Sequence, residues 1–299
     1  MRLVEWASGL AHRHLGERRA NALRDVYLGS RTRLAALLRL VYGSFDAPAL
    51  RAHFEQRLPA DFEILMVHSS FNAMKPMFTG TALDLVHMLL EYCGPNRTLV
   101  MPAFYFGENG EGASVAFRRN PRFDITRTPS QMGLVTEMFR RFPGVTASRH
   151  PVYRVVAKGP LAHSLVAGHD RSDTPAGKGT PFEFMARRKT LIIGMGKSVD
   201  ALTQAHHTEQ FMGDEFPVPS RANPPLPMTL VERGQEQPYE LRSRAVDGRF
   251  EILRIRSLMS PQSLKEWTFH GAPFFSAMAA DVTAELIAAA RRGQTLYVT

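Results

Sequence analysis

Residues 64–102, ILMVHSSFNAMKPMFTGTALDLVHMLLEYCGPNRTLVMP, decide the fold. The apolar runs Ile64-Leu65-Met66-Val67 and Thr98-Leu99-Val100-Met101 are too short for helices, and turn residues bound them, so both read as buried strands. Between them TALDLVHMLLEYCG (81–94) has helical periodicity and closes on the turn Gly94-Pro95-Asn96. A strand, a helix and a strand in this order predict neighbouring parallel strands with the helix covering one face.

The alternation continues downstream. A short helix, ALRAHFEQRL, precedes the first strand. Then follow a helix around GLVTEMFRRF (133–142), a strand YRVVAKG (153–159), a helix LAHSLVAGH (161–169), a loop DRSDTPAGKGTPF (170–182), a helix EFMARR and a strongly apolar strand at 190–194. Five prolines between 217 and 227 predict an extended loop. Strands are expected around 228–257 with an Asp247-Gly248 turn, then a helix DVTAELIAAARR closed by Gly293. The reading is an α/β domain over 46–299, preceded by a separate arginine-rich helical extension over 1–45. In that extension Leu34, Leu37, Leu38 and Val41 repeat at helical spacing after the candidate N-cap Ser30, with Gly43 as the stop. Docking on the main domain is the default for one apolar stripe; a homodimer contact and a peripheral contact with an anionic membrane are the other candidates.

The 299-residue chain is 44% hydrophobic and 22% charged, the composition of a globular protein with a sizeable core. No apolar run approaches the roughly 18 residues of a membrane span, and the first residues lack a secretory h-region. The single cysteine, Cys93, excludes an internal disulfide, suits a reducing cytoplasm, and reads as a buried helix-end residue. The net charge of +9 favours anionic partners. No zinc-finger, RNP or basic-zipper pattern accompanies it, so nucleic acid is not an expected partner.

Several motifs fail on inspection. Gly194-Met195-Gly196-Lys197-Ser198 lacks the first glycine of a phosphate loop, since residue 191 is leucine, and Val199 breaks a dinucleotide fingerprint. These glycines are expected to turn the chain at the end of a buried strand. His206-His207-Thr208-Glu209 is not the HExxH of zinc proteases, and adjacent helical side chains diverge by about 100°. No metal is expected there, because zinc needs convergent ligands. His206 and Glu209, three apart, do share one helical face.

Five segments in order, LMVHSS (65–70), GPNRTLVMPAF (94–104), MGLVTEMFRRFPGVTASRHP (132–151), GHDRSDTPAGKGTPF (168–182) and LIIGMGKSVDALTQAHHTE (191–209), resemble the aminoglycoside 3-N-acetyltransferase family. The likeness runs from about residue 47 to at least 217. It implies a three-layer α/β sandwich around a central mixed, largely parallel sheet, and acetyl-coenzyme A as cosubstrate. The chain departs from the family where Ala147 opens its Arg-Ser-x-His-Pro pattern, and where its His-x-Ala-Glu reads His206-His207-Thr208-Glu209. Past residue 220, FHGAPFFSA and AARRGQTLY resemble members from surface-polysaccharide gene sets more than resistance enzymes.

Acetyl transfer to an amine needs a base to remove a proton, and histidine with a carboxylate behind it suits that task. The resemblance implies that His169 and Glu209 form this dyad, with His206 supporting it or contacting substrate and His207 facing elsewhere; which of His169 and His206 takes the proton stays open at this level. It also implies that His68, Ser69 and Ser70 lie around coenzyme A and that Thr180 donates near the thioester. From the residues alone, His169 reads first as a solvated helix-end histidine, and helix capping is the alternative for the serines and Thr180. Direct attack is expected rather than an acyl-enzyme, because Ser70 lacks a GxSxG elbow and no reactive cysteine is evident. The favoured acceptor is an amino sugar, nucleotide- or lipid-linked, in glycan or natural-product assembly. An aminoglycoside acceptor, as in antibiotic resistance, is the alternative, with Asp170, Asp173, Glu209, Asp214 and Glu215 as the acidic residues nearby. A non-catalytic binding protein on the same fold is the third reading. It predicts a filled cleft, or a His169 and Glu209 too far apart to couple.

Overall fold

The structure, a computed structural model, describes residues 33–108 and 111–299. Helix α1 (Ala35–Tyr42) ends at Gly43 and α2 (Ala47–Arg57) starts at an Asp46 cap. Strand β1 (Ile64–Ser69), helix α3 (Ala82–Cys93) and strand β2 (Thr98–Pro102) then form the expected unit. Thr81 and Asp84 close a reciprocal capping box at the start of α3, which fixes that boundary.

The chain goes on through β3 (Arg122–Asp124), α4 (Leu134–Arg140), β4 (Thr146–Ala147), β5 (Val155–Lys158), α5 (Ala162–Val166), α6 (Pro181–Ala186) and β6 (Thr190–Met195). After α7 (His206–Met212) come β7 (Ser220–Ala222), β8 (Leu226–Glu232), β9 (Gln235–Leu241), β10 (Arg244–Val246) and β11 (Arg249–Phe250). Strands β12 (Leu264–Phe269) and β13 (Ala272–Met278), helix α8 (Ala279–Arg291) and β14 (Tyr297–Val298) complete it.

The central sheet has seven strands in the order β12-β13-β6-β1-β2-β5-β4. It is mixed, as expected. Its parallel part is the central trio β6, β1 and β2, and every outer pairing is antiparallel. The expected predominance of parallel strands therefore stops at the trio. The β12–β13 pair turns through His270-Gly271 and needs no crossover helix, so its strands run opposite ways. The proline segment is likewise not all loop, because Ser220–Ala222 pairs with β10.

Alternation along the strands builds the two interiors. Leu65 and Val67 face a core shared with α2, α3 and α4, while Ile64 and Met66 face a second core with Phe182, Met185 and Leu286. Both faces are buried, which is why these strands read as continuous apolar runs. Each such side chain contributes roughly 1.5–3 kcal/mol of burial. Cys93 is buried in the first core.

Helix α1 docks lightly. Leu38 packs on the core and Arg39 Nε reaches the Pro76 carbonyl at 3.0 Å, but Leu34, Leu37 and Val41 of the predicted stripe are exposed. Ser30 and the rest of 1–32 lie outside the described residues. Among the described residues no helix is long and apolar enough to cross a membrane.

Candidate active site

The C-terminal ends of β1, β2 and β6 open on one side of the sheet, where chain direction diverges about β1. Ligands of open α/β sheets bind in such a crevice. A cavity of about 490 Å³ lies there, lined from β1 by His68, Ser69 and Ser70, beyond β2 by Phe104 and Phe106, and after β6 by Lys197, Asp200 and Thr203. Gly133, Leu134 and Thr136 of α4 and its approach, Tyr153, His206 and Phe250 complete the wall.

Glycine chemistry holds two of these loops together. Gly196 sits at φ +64°, and a Cβ there would come 2.5 Å from the Ser70 carbonyl. Ser70 N–H in turn donates to the Met195 carbonyl at 2.8 Å. Gly194 lies within β6, where a Cβ would meet the Phe275 ring at 2.1 Å. The failed phosphate-loop glycines thus serve a strand end and a close sheet contact, in line with the sequence reading.

Several polar atoms around the cavity have no partner among the described residues. His68 Nε2, Ser69 Oγ, Thr136 Oγ1 and Thr203 Oγ1 are all buried and unpaired. Buried polar groups are normally satisfied, so four orphans on residues lining one cavity suit a ligand with its own polar atoms. Ser70 makes no side-chain cap bond to the short helix that follows it, which removes the capping role for its hydroxyl. Burial and then the nearby Lys197 ammonium push His68 down to about 3, so it is neutral at ordinary pH. The orphans and the Lys197 cation fit a long ligand with amide and phosphate groups, as coenzyme A has. His68, Ser69, Ser70, Thr136 and Lys197 all line the cavity.

The histidine–carboxylate pair is His206 and Glu209. Nδ1 of His206 lies 3.1 Å from Glu209 Oε1, across one turn of α7. A carboxylate can only accept, so Nδ1 carries the proton and the Nε2 lone pair has no partner among the described residues at the cavity wall. The ring stacks on Phe250, with centroids 4.6 Å apart at 25°, and meets Tyr153 edge-on. Glu209 is almost fully buried, and Tyr297 Oη donates to the same Oε1 at 3.1 Å. His207 points away, donating to the Ala176 carbonyl at 2.6 Å.

Among the described residues His169 makes no hydrogen bond to Glu209, its expected dyad partner. His169 is fully buried, with Nε2 2.8 Å from the Pro175 carbonyl and Nδ1 2.8 Å from Ser148 Oγ. The carbonyl must accept, so Nε2 is the protonated nitrogen and Nδ1 accepts from the Ser148 hydroxyl. Ser148 Oγ also accepts from Val155 N–H at 2.9 Å, and His150 stacks on the His169 ring at 4.7 Å. Burial, against weaker opposition from Pro175 and Asp170, holds His169 down at about 4. Both nitrogens are occupied, so His169 has no lone pair to offer a substrate. Thr180 is likewise a helix cap: its hydroxyl donates to the Gly177 carbonyl at 2.7 Å and faces the start of α6.

Two further residues were missed by the sequence reading. Arg154 is fully buried and donates to the carbonyls of Ala103, Ile125 and Thr128, tying the segment after β2 to the segment before α4. Tyr297 stands 88 positions from the carboxylate it touches. No local spacing signals either one. The acidic residues near the loops are mostly neutralised, Asp170 facing Arg149, Asp173 Arg242 and Asp214 Arg244.

Comparison with known proteins agrees with this architecture. The chain is 31% identical over 156 residues to aminoglycoside N(3)-acetyltransferase III of Acinetobacter baumannii, covering 49% of this chain and 54% of that protein. It is 31% identical over 159 residues to aminoglycoside N(3)-acetyltransferase VIII of Streptomyces fradiae, with the same coverage. The aligned region thus spans about half the length of these curated relatives. The fold matches the crystal structure of aminoglycoside acetyltransferase AAC(3)-Xa with a TM-score of 0.72 at 18% identity, over 88% of this chain and 99% of that one. It also matches the AAC-IIIb binary complex with CoASH at a TM-score of 0.67 and 18% identity, over 85% and 99%. Neither curated relative is a surface-polysaccharide protein, so the comparison drawn from residues past 220 gains no support from them. The model of the family described as aminoglycoside 3-N-acetyltransferase matches residues 66–289, and the chain belongs to that family.

Proposed function

We propose that the protein transfers the acetyl group of acetyl-coenzyme A to an amino group of an aminoglycoside-type acceptor. The observation that carries this reading is the His206–Glu209 pair, 3.1 Å apart, with the carboxylate buried and Nε2 unpaired among the described residues beside a cavity lined by orphan polar groups. The names of the curated relatives support it. The open cavity speaks against the filled cleft of the non-catalytic reading; His169 is bonded elsewhere, as that reading allows, and His206 takes its place beside Glu209.

Acetyl-coenzyme A supplies an activated thioester carbonyl. His206 Nε2 would take the proton of the attacking amine as the N–C bond forms and the C–S bond breaks, and return it to the departing coenzyme A thiolate, while Glu209 holds the Nδ1–H tautomer and offsets the imidazolium charge. Phe250 and Tyr153 exclude water around the ring. The orphan hydroxyls of Ser69 and Thr136 are the donors available on the cavity wall for a polarised oxygen. The family resemblance had implied His169 for the base, and the proposal moves that role to His206.

A second acceptor reading has one specific observation behind it. Among the described residues the charged side chains lining the cavity are Lys197 and Asp200, apart from the histidines, so this wall is not strongly acidic. A polycationic drug favours an acidic wall, whereas an amino sugar with one amine, alone or phosphate-linked, does not require it. Coenzyme A release from acetyl-coenzyme A, measured against aminoglycosides, free amino sugars and nucleotide-linked amino sugars, decides between them. Turnover on aminoglycosides supports the first reading. Turnover confined to amino sugars replaces it with the second, and a protein that fails to bind acetyl-coenzyme A overturns both.

A further inference from the structure

The last strand carries a side chain that no part of the reaction scheme above uses. Tyr297 Oη donates to Glu209 Oε1 at 3.1 Å, the oxygen that also receives His206 Nδ1–H at 3.1 Å. Tyr297 is not part of the wall of the 490 Å³ cavity, so it stands behind the pair and away from any substrate. Its own place is well defined. β14 pairs with β11 in the register Phe250 to Tyr297, Tyr297 N–H donates to Thr295 Oγ1 at 3.1 Å, and Glu251 N–H donates to the Leu296 carbonyl at 2.7 Å. The rings of Phe250 and Tyr297 meet at 5.2 Å and 62°.

One small ribbon therefore grips both members of the pair. Phe250 stacks on the imidazole and sets its plane, and Tyr297 fixes the rotamer of the carboxylate. A glutamate on the first turn of a helix has several rotamers open to it, and an unfixed carboxylate would meet Nδ1 only part of the time. When that contact lapses, the neutral ring is free to move its proton to Nε2, and an Nε2–H ring cannot accept a proton from an amine. Burial and the Glu209 charge both push the Tyr297 phenol above its ordinary value, so it remains a donor across the working range.

We propose that Tyr297 is a positioning residue for the acid–base pair: from the β11–β14 ribbon it holds Glu209 on His206 Nδ1 and thereby keeps the Nε2 lone pair aimed at the cavity. The inference rests on the reading of His206 as the base, and its test separates the two. Tyr297→Phe removes one oxygen and keeps the ring packing, so the full chain should fold, which its melting temperature checks. The 15N signals of the imidazole, assigned by their loss in His206→Ala, report the ring tautomer without reference to turnover.

The wild-type ring is expected as the Nδ1–H form. Tyr297→Phe is expected to bring in a substantial share of the Nε2–H form and to lower kcat about tenfold, with KM for acetyl-coenzyme A within about twofold of wild type. An unchanged tautomer in Tyr297→Phe overturns the proposal, whether or not kcat falls, because a loss of rate alone would be structural. A changed tautomer in a protein whose His206→Ala variant still turns over at the wild-type rate leaves Tyr297 as the positioner and removes His206 as the base.

Discussion

Replacing Arg154 by methionine tests how the cavity is built. The guanidinium is fully buried and donates to the carbonyls of Ala103, Ile125 and Thr128 at 3.2, 2.7 and 2.9 Å. Methionine fills a similar volume but donates nothing, so three inward-facing carbonyls lose their partner. Each such acceptor costs about 1–3 kcal/mol, or about 6 kcal/mol together at the middle of the range. Part of this is offset. Burial, and then the charge of Arg140, push Arg154 down from 12.5 to about 10, a penalty on the buried cation of order 3 kcal/mol that methionine does not carry. The net expectation is a loss of about 3 kcal/mol, within the range for breaking a buried charged network. Urea unfolding should show a lower midpoint with an unchanged slope, and the melting temperature should fall by roughly 5–10 °C. The same carbonyls anchor the segments that carry Phe104 and Gln131 to the cavity wall, so KM for acetyl-coenzyme A should rise as well. A methionine variant within about 1 kcal/mol of wild type would refute the reasoning. It would mean that the cation costs as much to bury as it returns by holding the carbonyls.

His169→Ala should behave as a stability change, with loss of about 2–4 kcal/mol as the Ser148 hydroxyl and Pro175 carbonyl lose their partner. Because the folded value of about 4 lies below the unfolded 6.5, wild-type stability falls as pH drops from about 6.5 to about 4, by up to roughly 1.4 kcal/mol per unit from this residue. The alanine variant should show a shallower slope in that window in urea titrations at each pH, and an unaltered slope would contradict the assignment. Glu137 gives the same sign in a lower window. Burial pushes its carboxyl up, but hydrogen bonds from Arg140, Ser130 N–H and Arg141 outweigh this and hold it at about 2. Its stabilisation is complete above about 4.5 and fades as pH falls through 2, so the gap between wild type and Glu137→Gln should close over that interval in acid titration. Gly194→Ala should cost about 1–3 kcal/mol by thermal melting, because its Cβ would lie 2.1 Å from Cε1 of the buried Phe275, and Phe275→Leu should restore part of the loss.

Local chemistry made much of this molecule readable in advance. The apolar runs 64–67, 98–101 and 190–194 are strands because a segment buried on both faces cannot alternate. Thr81 and Asp84 mark a helix start through bonds that span three residues. His206 and Glu209 were legible as neighbours for the same reason, since a helix brings positions three apart onto one face. The family resemblance carried the fold and the position of His68, Ser69 and Ser70 around the cavity. It did not carry the choice between histidines. That choice depends on which ring nitrogens are already engaged, and the partners of His169 come from Ser148 and Pro175, in separate segments. Arg154 reaches back to Ala103, 51 positions away, and Tyr297 to Glu209, 88 positions away. A hydrogen bond acts over about 3 Å of space and has no fixed length in sequence, so only the packed chain determines which polar groups are spent on structure and which lone pair is left for chemistry.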